Sequence, residues 1–92
     1  MKLNKRQKSI LISWGHTNED ISQIENAISF TTYTICNGKE KRIGRKKVIE
    51  LLGEEEWLSG ISRSSFHWTS YREVNGNEIY FDTSKFFRHE KN

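Results

Sequence analysis

Apolar residues recur along this chain first at helical spacing, then at strand spacing, then at helical spacing again. Residues 4–14 predict a helix with Ile10, Leu11 and Trp14 on its inward edge, ended by Gly15. Thr17 followed by Asp20 resembles a capping box and starts a second helix. Its stripe of Ile21, Ile24, Ala27 and Ile28 runs to about Ser29. Two helices so closely linked make a helical pair. The strand formers Thr31 to Ile35 follow, and Asn37-Gly38 is a turn signal, so residues 39–43 return as the second strand of a hairpin.

The stretch from Ile43 to Trp68 organises the rest. Val48, Leu51 and Leu52 mark one helix face and Gly53 sits where a C-cap glycine would. Glu54, Glu55 and Glu56 suit the positive end of the next helix, whose apolar face is Trp57, Leu58 and Ile61. A second hairpin follows, Thr69 to Val74 and Asn77 to Asp82 about Asn75-Gly76. A two-residue loop there would set Glu73 against Glu78. A three-residue loop instead pairs Arg72 with Glu78 and Tyr71 with Ile79, and is the expected register. It places Tyr71, Ile79 and Phe81 in one core with Val48, Leu52, Trp57, Leu58, Ile61 and Phe66. The tail adds one short turn holding Phe86 or Phe87.

The fold class expected is α+β in a single domain over residues 1–92. It comprises a helical pair (1–30), a hairpin (31–43), two short helices (44–68), a second hairpin (69–82) and a tail (83–92). A chain of 92 residues buries only roughly 60–65% of its unfolded surface. Apolar residues make up 34%, but three Trp, three Tyr and five Phe supply bulk. No run of apolar residues is long enough to span a membrane, and the first six residues lack a signal-peptide apolar region. The lone Cys36 reads as a reduced, half-buried strand residue, and the expected location is the cytoplasm of a bacterial host.

Charge sharpens the picture. The net charge is +3, but Lys39, Lys41, Arg42, Arg45, Lys46 and Lys47 crowd residues 39–47 against the single acid Glu40. Lys2, Lys5, Arg6 and Lys8 form a second cluster. Such asymmetry suits an anionic partner, of which nucleic acid is the usual one. Catalysis has little to stand on. His16, His67 and His89 lack metal-ligand spacing, and neither a nucleophile elbow nor a phosphate loop is present, so no enzyme activity, cofactor or metal is expected. Glu78, Asp82 and Lys85 have the residue types of a nuclease site, which composition alone explains.

Gly60-Ile61-Ser62-Arg63-Ser64-Ser65-Phe66-His67-Trp68 resembles the turn and recognition helix of bacterial helix-turn-helix DNA-binding domains. The resemblance implies a turn at Gly60, buried Ile61 and Phe66, a capping Ser62, and Arg63, Ser64 and His67 facing the groove. The following hairpin would be the wing of a winged-helix-like fold. The preceding helix departs from that pattern at Glu55, Glu56 and Ser59. Residues 38–87 also resemble small uncharacterised phage and prophage proteins, through Leu51-Leu52-Gly53 and Leu58-Ser59-Gly60-Ile61 with Phe66-His67-Trp68. That resemblance implies a mobile-element origin, transcription regulators and anti-CRISPR inhibitors being among proteins of this type. The expected function is therefore non-enzymatic binding of nucleic acid through the six cations of residues 39–47, Arg63, Ser64, His67 and Arg72. The alternative is an anti-defence inhibitor that docks on a host nucleic-acid-processing protein complex.

Overall fold

The computed structural model describes residues 2–90. Its elements are α1 (Lys5–Ser13), α2 (Asn18–Ile28), β1 (Thr32–Ile35), β2 (Lys41–Ile43), α3 (Arg45–Leu52), α4 (Glu54–His67), β3 (Thr69–Val74), β4 (Asn77–Asp82) and α5 (Ser84–Glu90). The α+β class, the helical pair and both hairpins are as the sequence predicts.

Local chemistry sets the helix starts. Asn4 Oδ1 accepts from Gln7 N at 2.8 Å, and Gln7 Oε1 accepts from Asn4 N at 2.9 Å. Thr17 and Asp20 make the same reciprocal pair at 3.1 and 3.0 Å. Gly53 closes α3 and opens α4 at φ 92°, ψ 157°, a conformation open to glycine and almost nothing else.

The two hairpins join into one four-stranded antiparallel sheet of order β2-β1-β4-β3. Tyr33 on β1 lies opposite Phe81 on β4, their rings edge-on at 5.2 Å. Alternation puts Tyr33, Ile79 and Phe81 on one face, where α3 and α4 cover them, while α1 and α2 pack onto α4. Leu11, Ile24, Val48, Trp57, Leu58 and Ile61 complete the core. The other sheet face presents Thr34, Arg42, Tyr71, Tyr80 and Asp82 to solvent or half-buried.

Several expectations need correction. The second helix is not short: α4 runs unbroken for 14 residues, straight through Gly60. There is no turn at Gly60, so Ser62 caps nothing, and its hydroxyl donates to the Ser59 carbonyl at 3.0 Å. The β3–β4 hairpin is half of the central sheet rather than a wing, and the winged-helix-like arrangement is absent. Phe66 is exposed, because an unbroken helix carries it to the side away from Ile61 and Trp57. Trp14, taken as an inward residue, caps α1 and is 43% exposed. The tail forms a helix, α5, rather than a single turn, with Phe86 buried against Phe30.

The register of the second hairpin is also the one not expected. Glu73 does lie opposite Glu78, and Tyr71 opposite Tyr80. Asn75 (φ 53°) and Gly76 (φ 82°) both adopt positive φ, as a two-residue type I′ turn demands, and that turn matches the strand twist. The like-charge cost is relieved locally. Glu73 Oε2 accepts from Gly76 N at 2.7 Å, and Glu78 Oε1 accepts from the Tyr71 hydroxyl at 2.7 Å. A one-residue change of register moves a strand's side chains to the other face. Tyr71 therefore lies on the open face and Ser70 turns inward, donating to the Gly60 carbonyl at 2.7 Å.

A buried hydroxyl chain ties the helices to the β4–α5 junction. Thr83 Oγ1 lies 2.8 Å from Ser64 Oγ and 2.9 Å from Thr31 Oγ1, and Thr31 donates to the Ala27 carbonyl at 3.1 Å. Thr83→Val keeps the shape but takes one hydrogen-bond partner from each of two buried hydroxyls, so it is expected to cost about 1–3 kcal/mol in urea unfolding. An unchanged unfolding midpoint would show that the chain contributes nothing to stability.

Candidate nucleic-acid interface

Ten residues carry the binding expectation, and the fold distributes them over three environments. Lys39, Lys41, Arg42, Arg45, Lys46 and Lys47 lie together along the edge formed by the β1–β2 turn, β2 and the first turn of α3. Arg63, His67 and Arg72 gather at the far side of the sheet order, where α4 packs on the other edge strand, β3. Ser64 belongs to neither. It is fully buried in the hydroxyl chain above, so its expected place in a binding groove is wrong. Helical spacing gives the reason: Ser64 lies three residues after Ile61 and seven after Trp57, on the core stripe of α4.

The β2–α3 edge is built from an edge strand and a helix N-terminus. β2 is three residues long with two charged side chains, which discourages further strand pairing. Gly44 starts α3 with no side-chain cap, and the first turn holds no acid. The backbone N–H groups there have no side-chain acceptor, and three cations sit on the end of the helix that is already positive. Arg45 is partly accommodated, its guanidinium 6.0 Å from the centroid of the buried Trp57 ring. Lys47 pairs with Glu50 at 3.3 Å. Lys39, Lys41, Arg42 and Lys46 enter no ion pair among the described residues. Beside them runs an open groove of about 690 Å³, with Ile28, Tyr33 and Ile43 on its floor and Arg42, Arg45 and Lys46 on its rim.

The α4–β3 side is a polar groove of about 450 Å³. Sequence reasoning missed five of its residues. His16 comes from the α1–α2 connection and Asp20 from the first turn of α2, paired at 3.5 Å, while Ser59, Ser62 and Phe66 come from α4. The signal was present in α4, where Ser59, Arg63 and His67 fall four residues apart on one stripe. It was masked by the reading of Gly60 as a turn.

Several ionisable groups are shifted by their surroundings. The Thr17 amide at the start of α2 and the neighbouring His16 hold the Asp20 carboxyl below its ordinary value. Hydrogen bonds from Ser84, with the charges of Arg88 and Arg42, do the same for Asp82. The hydrogen bond to Glu78 pushes the Tyr71 phenol up to about 12. Burial and the charges of Glu40 and Glu78 push the Cys36 thiol up, away from the reactive thiolate. No cluster of His, Cys, Asp or Glu among the described residues has the arrangement of a metal site. No described helix is long and apolar enough to cross a membrane.

Comparison with protein-family models, curated proteins and solved structures gives no match for this chain.

Proposed function

We propose that this chain is a small, non-catalytic, phage-type binding protein that engages the phosphate backbone of nucleic acid through the β2–α3 edge. One observation carries the reading. The first turn of α3 places Arg45, Lys46 and Lys47 on the positive end of a helix that has neither an acidic residue nor a side-chain cap there. The helix dipole disfavours that arrangement, and Lys46 has no ion-pair partner among the described residues to offset it, whereas a phosphate would meet free backbone N–H groups and cations together. With Ser64 buried and α4 continuous through Gly60, no recognition helix is offered to the bases. The binding proposed is therefore to the backbone, weakly sequence-dependent and strongly salt-dependent.

A second reading rests on the open sheet face. Tyr71 and Tyr80 are 42% and 50% exposed there, their rings 5.7 Å apart, beside Glu73, Glu78 and Asp82. An acidic surface with exposed tyrosines suits docking on a basic, nucleic-acid-handling host protein, the anti-defence alternative.

Lys39, Lys41 and Lys46 are exposed and enter no ion pair among the described residues, so replacing all three with Gln is expected to leave the fold intact. The triple variant is expected to flatten the logarithmic salt dependence of duplex binding by about 2–3 units, at about 0.9 per lost phosphate contact. Fluorescence anisotropy across a salt series, beside a thermal melt, reads both. Absence of duplex or single-strand binding by the unmodified protein at low salt would eliminate this function and leave the sheet-face reading.

A further inference from the structure

The α4–β3 groove is a second cationic site, with a different construction from the edge. Arg63 and His67 stand on one stripe of α4, and neither makes an ion pair or hydrogen bond among the described residues. Arg72 faces them from β3. Its guanidinium is held rather than free: Nη2 donates to Ser59 Oγ at 2.6 Å, and Nη1 to its neighbour's carbonyl at 3.2 Å. Its Nε is buried without a hydrogen-bond partner, the nearest carboxylate oxygen, Glu56 Oε1, being 4.0 Å away. The carboxylate that lines the groove, Asp20, is already engaged by Thr17 N and His16. Two arginines thus converge, Arg63 with no ion-pair partner among the described residues and Arg72 with a carboxylate no nearer than 4.0 Å, and Arg72 is preorganised by hydrogen bonds. Planar guanidinium groups so placed match the oxygens of a phosphate.

The volume of about 450 Å³ far exceeds a lone anion. Phe66, 40% exposed on the same stripe, supplies an aromatic surface at its wall. Cations for a phosphate beside a ring free to stack are the requirements of a nucleotide. We propose that this groove binds a nucleotide, the phosphate held by Arg63 and Arg72 and the base lying against Phe66. The site is independent of the β2–α3 edge, on the opposite edge strand. The nucleotide has two sources, a free mononucleotide or the phosphorylated end of a strand.

Amide and arginine side-chain NMR spectra of the intact protein test this, titrated separately with AMP, adenosine and inorganic phosphate at millimolar concentration. AMP is expected to shift the signals of Arg63, Phe66, His67 and Arg72 and to bind more tightly than either of its parts. Arg63→Gln and Arg72→Gln are each expected to weaken AMP binding about tenfold or more, the loss of one charged hydrogen-bonding partner. The Lys39, Lys41 and Lys46 triple variant is expected to bind AMP as the unmodified protein does, separating this site from the edge. Competition by single-stranded DNA with and without a 5′-phosphate assigns the source. Preference for the phosphorylated strand gives a strand end, and equal competition gives the free nucleotide. Because Arg72 also braces Ser59, the exposed Arg63 decides if Arg72→Gln loses its fold. AMP shifting none of these signals, adenosine binding as well as AMP, or Arg63→Gln binding AMP unchanged would each overturn the proposal.

Discussion

Gly60→Ala is expected to destabilise the protein by about 3 kcal/mol, at the upper end of the range for overpacking a core. By helix propensity alone the change should help, by about 1 kcal/mol, since alanine is the better helix former. The packing reverses the sign. A Cβ on Gly60 would stand 2.4 Å from Phe81 Cζ and 2.5 Å from Cε2, and the Phe81 ring is fully buried in the core. The backbone at Gly60 is also pinned, because its carbonyl accepts the Ser70 hydroxyl at 2.7 Å. Gly60 is thus a point of close approach between α4 and the sheet. For a domain of this size the loss corresponds to a drop of about 12–24 °C in melting temperature. Phe81→Leu should restore part of it in the double variant while being destabilising alone, a coupling that only a contact produces. If Gly60 were instead the left-handed glycine of a tight turn, the Phe81 change would give no rescue. A Gly60→Ala protein that melts like the parent would remove the α4–sheet packing altogether.

This glycine also explains where the sequence was legible and where it was not. Helix starts were readable because they depend on neighbours three residues apart, as Thr17 and Asp20 show. The strands and both Asn-Gly turns were readable for the same local reason. What failed depended on contacts distant in sequence. A glycine in the middle of a helical pattern signals either a break or a close approach, and only Phe81, from β4, decides between them. The hairpin register was misjudged by weighing the Glu73–Glu78 repulsion above the turn, although the Gly76 amide and the Tyr71 hydroxyl absorb both carboxylates. Pairing of β1 with β4, which makes two hairpins one sheet, left no local mark at all.

The candidate sites divide in the same way. The β2–α3 edge could be read directly, since its cations are contiguous in sequence. The α4–β3 groove could not, because Arg72 and His16 reach it from separate elements, and the misplaced turn at Gly60 concealed the stripe that carries Arg63 and His67. Ser64 was assigned outward by that same turn, and the continuous helix sends it inward to Thr83.

Trp57→Ala is expected to cost about 3–5 kcal/mol, the range for truncating a buried aromatic. Set against a typical total of about 5–15 kcal/mol, that leaves the fold marginal or lost. Trp57 is fully buried and joins three parts of the molecule. Its body lies in the core with Val48 and Leu58, its indole N–H donates to the Tyr33 hydroxyl at 3.1 Å, and Arg45 covers its ring. Size and polarity separate in the milder variants. Trp57→Phe retains most of the apolar area but leaves the Tyr33 hydroxyl, at a buried position, without its donor, at a cost of about 1–3 kcal/mol beyond the volume change. Tyr33→Phe added to Trp57→Phe should then cost little more, because the stranded hydroxyl goes with it. Burial raises the Tyr33 phenol above its ordinary value, outweighing the indole hydrogen bond and the Arg45 charge that lower it. The folded state therefore holds that proton longer than the unfolded chain. The resulting stability is complete below about pH 10, where an unfolded tyrosine ionises, and is lost as pH rises through the folded value. Tyr33→Phe should flatten that part of the alkaline decline. Urea unfolding of the four proteins at neutral and alkaline pH measures all of this. Additive effects of Trp57→Phe and Tyr33→Phe would remove the hydrogen bond from the core, and a stable Trp57→Ala protein would remove the residue on which α3, α4 and β1 converge.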